Sequence, residues 1–150
     1  MTPVLTEALT ADAMIKIARG QIDAFNSSDW EGMRAGLASD SRYDELGTQR
    51  KIDGPEKIVE LFKGWKQAFP DVIGTVTSAV ASGDKAALEV TWKGTHTGPL
   101  VTAEGTIPAS GKRQETPAAC VFTFAGDKIK ESRQYFDSLT LLKQIGAQPK

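Results

Sequence analysis

The residues best suited to chemistry are few: the chain contains one histidine, His96, and one cysteine, Cys120. His96 closes a stretch whose same-parity residues are Leu88, Val90, Trp92 and Gly94, so strand alternation places it on an apolar face. An imidazole there can bind a ligand or move a proton near neutral pH, or simply hold a neighbouring loop through backbone hydrogen bonds. Cys120 shares parity with Ala118, Phe122 and Phe124 and is expected to point inward. With no second histidine to pair with, it reads as a pocket-lining residue beside Phe122 rather than a nucleophile. Tyr43 and Glu45 fall on one parity of the segment 41–46, where a phenol could donate to a substrate carbonyl. Near the end of the chain Ile129, Glu131, Arg133 and Tyr135 alternate. If that face is concave, Arg133 beside Glu131 would polarise a substrate oxygen and Tyr135 would line the site. A β-bulge would reverse that parity. Phe62, Trp65 and Trp92 are expected to form the floor of a pocket and part of the core.

Composition narrows the options. The 150 residues are 40% hydrophobic and 25% charged, an ordinary globular balance, and favour one domain over 1–150 with short tails at about 1–10 and 147–150. Eighteen basic against nineteen acidic residues give a net charge of −1, so no electrostatic footprint for nucleic acid is present. No apolar run approaches the roughly 18 residues of a membrane span. The opening MTPVLTEALTADAM lacks the basic and apolar regions of a signal peptide. A lone cysteine forms no intrachain disulfide and points to a reducing compartment, with cytoplasm the expectation. One His and one Cys do not make the usual zinc sets, and no Gly-rich phosphate loop is found. The expected chemistry is therefore free of metal and cofactor.

These residues must be positioned by elements, and the pattern supplies them. Ile15, Ala18, Ile22 and Phe25 recur at helical spacing, predicting a helix over 13–25. Asn26-Ser27-Ser28-Asp29 interrupts it and offers caps to a short second helix carrying Trp30, Met33 and Leu37. Asp53-Gly54-Pro55 starts a third helix, with Ile58, Leu61, Phe62, Trp65 and Phe69 on a wide stripe that Pro70 ends. Beyond it the period becomes two. Strands are predicted over 73–81, 85–96, 115–124 and 128–137, with hairpin turns at Ser82-Gly83-Asp84 and Ala125-Gly126-Asp127. Residues 97–112 read as a long loop and 139–145 as a short helix, with Asp137 as its cap. Helices first and hairpins after give an α+β domain, helices packed on one face of a curved antiparallel sheet.

Several segments also resemble a family in order along the chain. Gly54-Pro55-Glu56-Lys57-Ile58 with Trp65-Lys66-Gln67-Ala68-Phe69-Pro70-Asp71, then Gly94-Thr95-His96-Thr97-Gly98-Pro99, then Pro108-Ala109-Ser110-Gly111-Lys112-Arg113, and finally Tyr135-Phe136-Asp137 to Gly146 are similar to the SnoaL-like polyketide cyclases of the nuclear-transport-factor-2-like superfamily. The resemblance spans residues 13–146. It implies a cone with a hydrophobic pocket, dimerisation through the outer face of the sheet, and cofactor-free ring closure of polyketides. It also implies that an acid/base aspartate should stand where this chain has Cys120. A thiol is a poor substitute for that carboxylate. In the family the segment 41–46 borders the pocket entrance, which makes Glu45 the preferred replacement base, assisted by Tyr43, His96 or Arg133.

Three functions follow. The first is a cofactor-free ester cyclase or isomerase acting on an apolar carbonyl substrate. The second is a ligand-binding domain of the same fold without chemistry, suggested by Cys120. The third, resembling an epoxide hydrolase, would need two carboxylates around an arginine, of which Arg133 and Asp137 supply only part. The expected partners are a small hydrophobic molecule and a second copy of the chain, with neither nucleic acid nor membrane.

Overall fold

The computed structural model describes residues 9–147, so residues 1–8 and 148–150 of the expected tails lie outside the described residues. The first helix, α1, runs Ala11–Asn26, starting two residues before the predicted 13 because Thr10 caps it, accepting from the Ala13 N–H at 3.0 Å. Asp29 caps α2 (Trp30–Ala35) in the same way. Helix α3 spans Pro55–Ala68, its proline in the first turn where a missing N–H costs nothing. Helix α4 spans Ser138–Gln144 and is capped by the Asp137 carboxylate.

The strands are β1 (Leu37–Glu45), β2 (Arg50–Asp53), β3 (Ile73–Ser82), β4 (Lys85–Thr95), β7 (Arg113–Ala125) and β8 (Lys128–Phe136), with β5 (Leu100–Thr102) and β6 (Gly105–Ile107) between β4 and β7. Six of them form one sheet in the order β2-β1-β8-β7-β4-β3. Every pair is antiparallel except β1 with β8, which is parallel. The sheet is curved and not closed, and the helices pack on its concave face. The segment expected as a loop over 97–112 contains the β5–β6 ribbon, and β1 extends four residues upstream of the short segment 41–46. Leu37 and Ser41 are buried while Ser39 and Asp40 are exposed, a pattern broken by the register shift between Leu37 and Arg42. Without clean alternation the front half of β1 carries no period-two signal.

Two apolar clusters fill the concavity. One gathers Met14, Ala18 and Ile22 of α1 with Ile58 and Leu61 of α3 and Leu88, Val90, Phe122 and Ile129 of the sheet. The other, towards the open end, joins Phe25, Val59, Phe69, Val72, Leu100, Leu141 and Ile145. Phe62, Trp65 and Trp92 pack against both. The β4–β5 connection is pinned to the end of α3, where the Gly98 N–H donates to the Ala68 carbonyl at 3.1 Å. A Cβ on Gly98 would stand 2.0 Å from the Gln67 carbonyl oxygen, a backbone atom that cannot rotate away. Gly98→Ala is therefore expected to destabilise the fold by about 2 kcal/mol, the scale of overpacking, read as a lower urea midpoint. An unchanged midpoint would show that the connection is free to move off the helix.

Candidate functional site

A cavity of ≈ 510 Å³, its open mouth included, lies between α3, α4 and the concave face of the sheet. Its walls are apolar, with Phe25, Phe69, Phe136 and Leu141 joining Phe62, Trp65 and Trp92. Its polar groups are Glu45, Gln114, Thr116 and Gln134. A second cavity lies deeper, lined by Tyr43, Cys120, Phe122 and Ser132, and shares Phe25, Phe62, Trp92 and Gln134 with the first. Those four residues form a partition. Phe25 meets Trp92 and Phe62 edge-on with ring centres 5.2 and 5.9 Å apart.

Glu45 has no solvent exposure, yet it is fully served. Its Oε1 accepts from the Thr48 hydroxyl at 2.6 Å and from Arg50 Nη2 and Nε at 2.7 and 3.1 Å. Its Oε2 accepts from the Tyr43 hydroxyl and from Trp65 Nε1, both at 2.9 Å. Local structure brings these donors in. The β1–β2 hairpin sets Arg50 directly opposite Glu45 in register, with Gln49 in the left-handed region (φ 61°) to close the turn. Arg50 also lies over the Trp65 ring, 5.6 Å from its centre, which orders the indole. The network continues behind the carboxylate. Tyr43 Oη accepts from Gln134 Nε2 at 2.9 Å, and Gln134 Oε1 accepts from Trp92 Nε1 at 2.8 Å. Burial and the adjacent Glu45 carboxylate push the Tyr43 phenol well above its ordinary range, so it stays a neutral donor.

The sequence-derived candidates separate into three groups. Glu45, Phe62, Trp65 and Trp92 line the outer cavity, and Tyr43, Cys120 and Phe122 line the inner one, which Arg133 also borders although its guanidinium pairs with Glu131. Burial pushes the Cys120 thiol up to about 12, leaving it protonated and inert across the neutral range. His96 is fully buried but lines neither cavity. It packs on Phe69 with ring centres 5.3 Å apart, its Nδ1 accepts from the Ser110 N–H at 3.2 Å, and its backbone bonds to Lys112 and Gly111. Its place is that of a loop anchor.

Arg133 and Tyr135 are on the other side of the sheet from where alternation put them. The Arg133 guanidinium lies on the outer face, donating to Glu131 at 2.8 Å, and Tyr135 is 43% exposed. The cause is a bulge in β8: Ile129 pairs with Phe124 but Glu131 with Thr123, leaving Lys130 as an extra residue. Parity flips there, so Ser132 and Gln134 face inward instead. Thr116 continues the parity of Ala118 and Cys120, a signal that could have found it, whereas Gln114 lies upstream of the strand predicted over 115–124, because β7 starts at Arg113. Arg50 and Thr48 belong to a hairpin that gave no pattern. Among the described residues, no three His, Cys, Asp or Glu side chains gather as metal ligands would, and no helix is long and apolar enough to cross a membrane.

Comparison with known proteins agrees with this geometry. The family model for SnoaL-like polyketide cyclases matches residues 15–145. A comparison with curated protein sequences finds no match. Among solved structures, a candidate SnoaL-like polyketide cyclase from Jannaschia sp. CCS1 superposes with a TM-score of 0.82 at 18% identity, covering 99% of this chain and 98% of its own. IdmH, a candidate polyketide cyclase from Streptomyces antibioticus, gives 0.73 at 27% identity, with 87% and 96% covered. A protein with a ketosteroid isomerase-like fold from Catenulispora acidiphila DSM 44928, in complex with trimethylamine, gives 0.75 at 19% identity, with 89% and 94% covered. The helices on a curved open sheet are thus the nuclear-transport-factor-2-like arrangement.

Burial holds the His96 imidazole below its ordinary value. The unfolded chain therefore takes up that proton before the folded one does. Stability from this group is complete above the unfolded value of about 6.5 and is lost as pH falls from there through the lower folded value. His96→Gln is expected to flatten the acid side of the stability–pH curve below about pH 6.5, measured by urea unfolding at a series of pH values. An acid limb equally steep in the variant would assign that loss to other groups.

Proposed function

The chain belongs to the SnoaL-like polyketide cyclase family, and on that premise we propose a cofactor-free enzyme of the ester-cyclase or isomerase type, with Glu45 as the proton-handling carboxylate. The observation that carries the reading is a carboxylate with zero exposure on the wall of an aromatic cavity, held in one orientation by four side chains. Such a group suits removal of a proton from carbon beside a carbonyl, because it is oriented before the substrate arrives. The proton passes to a Glu45 oxygen and the electron pair of the C–H bond moves to the carbonyl oxygen as an enolate. In a cyclisation the enolate carbon then forms a bond to a second carbonyl carbon of the same molecule. The resulting alkoxide takes the proton back, so no oxidant, reductant or cofactor enters.

Glu45 already accepts five hydrogen bonds, so one donor must turn away as it takes the proton. Thr48 is exposed, and its hydroxyl can be satisfied by water at little cost. A second reading draws on the same saturation and on the inert Cys120: the cavity binds an apolar carbonyl compound and does not transform it. Glu45→Gln separates the two. With a β-polyketone substrate, turnover is expected to fall about a hundredfold or more while affinity changes only a few-fold. Saturable binding by the wild type with no turnover would establish the second reading.

We extend the proposal to a cytoplasmic homodimer joined through the outer face of the sheet. Pro117, Ala119 and Val121 of β7 lie on that face beside exposed Tyr135, a small-residue apolar stripe suited to face-to-face packing. Light scattering is expected to give the mass of two chains, and Val121→Asp to give one. A wild type of single-chain mass removes the dimer.

A further inference from the structure

The polar groups that β7 contributes to the outer cavity play no part in holding Glu45, and their orientation can be followed outward from one backbone group. The Glu115 N–H can only donate, and it lies 2.7 Å from Gln144 Oε1. That fixes which end of the Gln144 amide is nitrogen. Its Nε2 donates to the Thr140 carbonyl at 3.3 Å and reaches the Thr116 hydroxyl at 3.4 Å. Thr116 accepts there and turns its own hydrogen to Gln114 Oε1 at 2.6 Å. Gln114 therefore keeps its nitrogen end, with both hydrogens, free of any protein acceptor among the described residues. Its side chain is 6% exposed and lines the outer cavity.

The other side-chain nitrogens on that wall each already donate to a protein acceptor. Trp65 donates to Glu45, Trp92 to Gln134, and Gln134 to Tyr43. An amide donor that faces the cavity without a protein partner is left unpaired by any ligand that displaces solvent there without offering an acceptor. We propose that Gln114 Nε2 anchors an acceptor oxygen of the ligand, a ketone or ester carbonyl or the enolate derived from it, and that Thr116 and Gln144 are positioning residues that aim it. The assignment rests on the cavity taking a small carbonyl compound, as proposed above, and is independent of whether that compound is turned over. It also gives the cavity a sense of direction. A carbonyl oxygen goes to the β7 end, and a ligand offering only donors there is rejected.

The test compares two flat probes of nearly equal shape, 9-fluorenone and fluorene, by titration against the full chain. The wild type is expected to favour the ketone by about tenfold, the scale of one buried hydrogen bond. Gln114→Leu should bring the ratio to about one by weakening ketone binding alone, with fluorene affinity retained. Gln114→Glu keeps the side-chain shape and an acceptor for Thr116 but reverses the free end, and should hold the ketone less tightly than the hydrocarbon. Gln144→Leu should give an intermediate ratio, because the Thr116 hydroxyl then loses the contact that sets its direction. A wild type with no ketone preference, or a Gln114→Leu protein that keeps the full ratio, overturns the assignment. Loss of turnover claims with the ketone preference intact would instead sink the enzymatic reading and leave this one standing.

Discussion

A carboxylate with no solvent exposure is tolerated in an aromatic-lined cavity only if donors surround it, and the need to satisfy Glu45 organises much of this molecule. Its partners come from β1, β2, the turn between them and α3. Behind them Gln134 of β8 and Trp92 of β4 extend the chain of bonds across the sheet. Removing Glu45, Tyr43 or Gln134 leaves another polar atom of the network unserved, so the elements are tied together by obligation as much as by apolar contact. The arrangement also explains why α3 stands where it does. Trp65 must reach the carboxylate while Ile58, Val59 and Leu61 stay in the two apolar clusters, which sets the helix's rotation about its own axis.

The aromatic partition has a complementary part. Phe25, Phe62 and Trp92 divide the concavity into an outer space and an inner one lined by Cys120. The position that resembles the family's acid/base site therefore lies behind the partition, as a thiol held protonated by burial. The carboxylate stands in front of it on a different strand. Charge capable of proton transfer and the apolar depth of the cone are separated here, where the family pattern would bring them together.

Much of this was legible from the amino-acid sequence, for identifiable reasons. Long helices with a clean stripe, as from Ile15 to Phe25 and from Ile58 to Phe69, and hairpins with Gly-Asp turns announce themselves through periodicity and local turn chemistry. So do inward-facing Tyr43, Glu45 and Cys120, because each lies in an uninterrupted run of alternation. Two of the readings that failed share one physical cause. Arg133 and Tyr135 were placed by counting in twos across a bulge, and the first half of β1 was hidden by another irregularity. His96 illustrates a different limit. Its inward, apolar position was correct, but inward means packed beneath the β4–β7 connection rather than open to the cavity, a distinction that depends on how far the sheet curls.

The Lys130 bulge has a consequence for how this scaffold can change. Along β8 every side chain beyond it owes its facing to one supernumerary residue. Deleting that residue would exchange an amide and a hydroxyl, Gln134 and Ser132, for a guanidinium and a phenol, Arg133 and Tyr135, without altering a single codon for them. In such a strand the length of the gene is itself a chemical variable. A single-codon deletion there is a larger step in pocket chemistry than most substitutions, and relatives that differ by one residue at this point need not share a ligand even where the flanking sequence is identical.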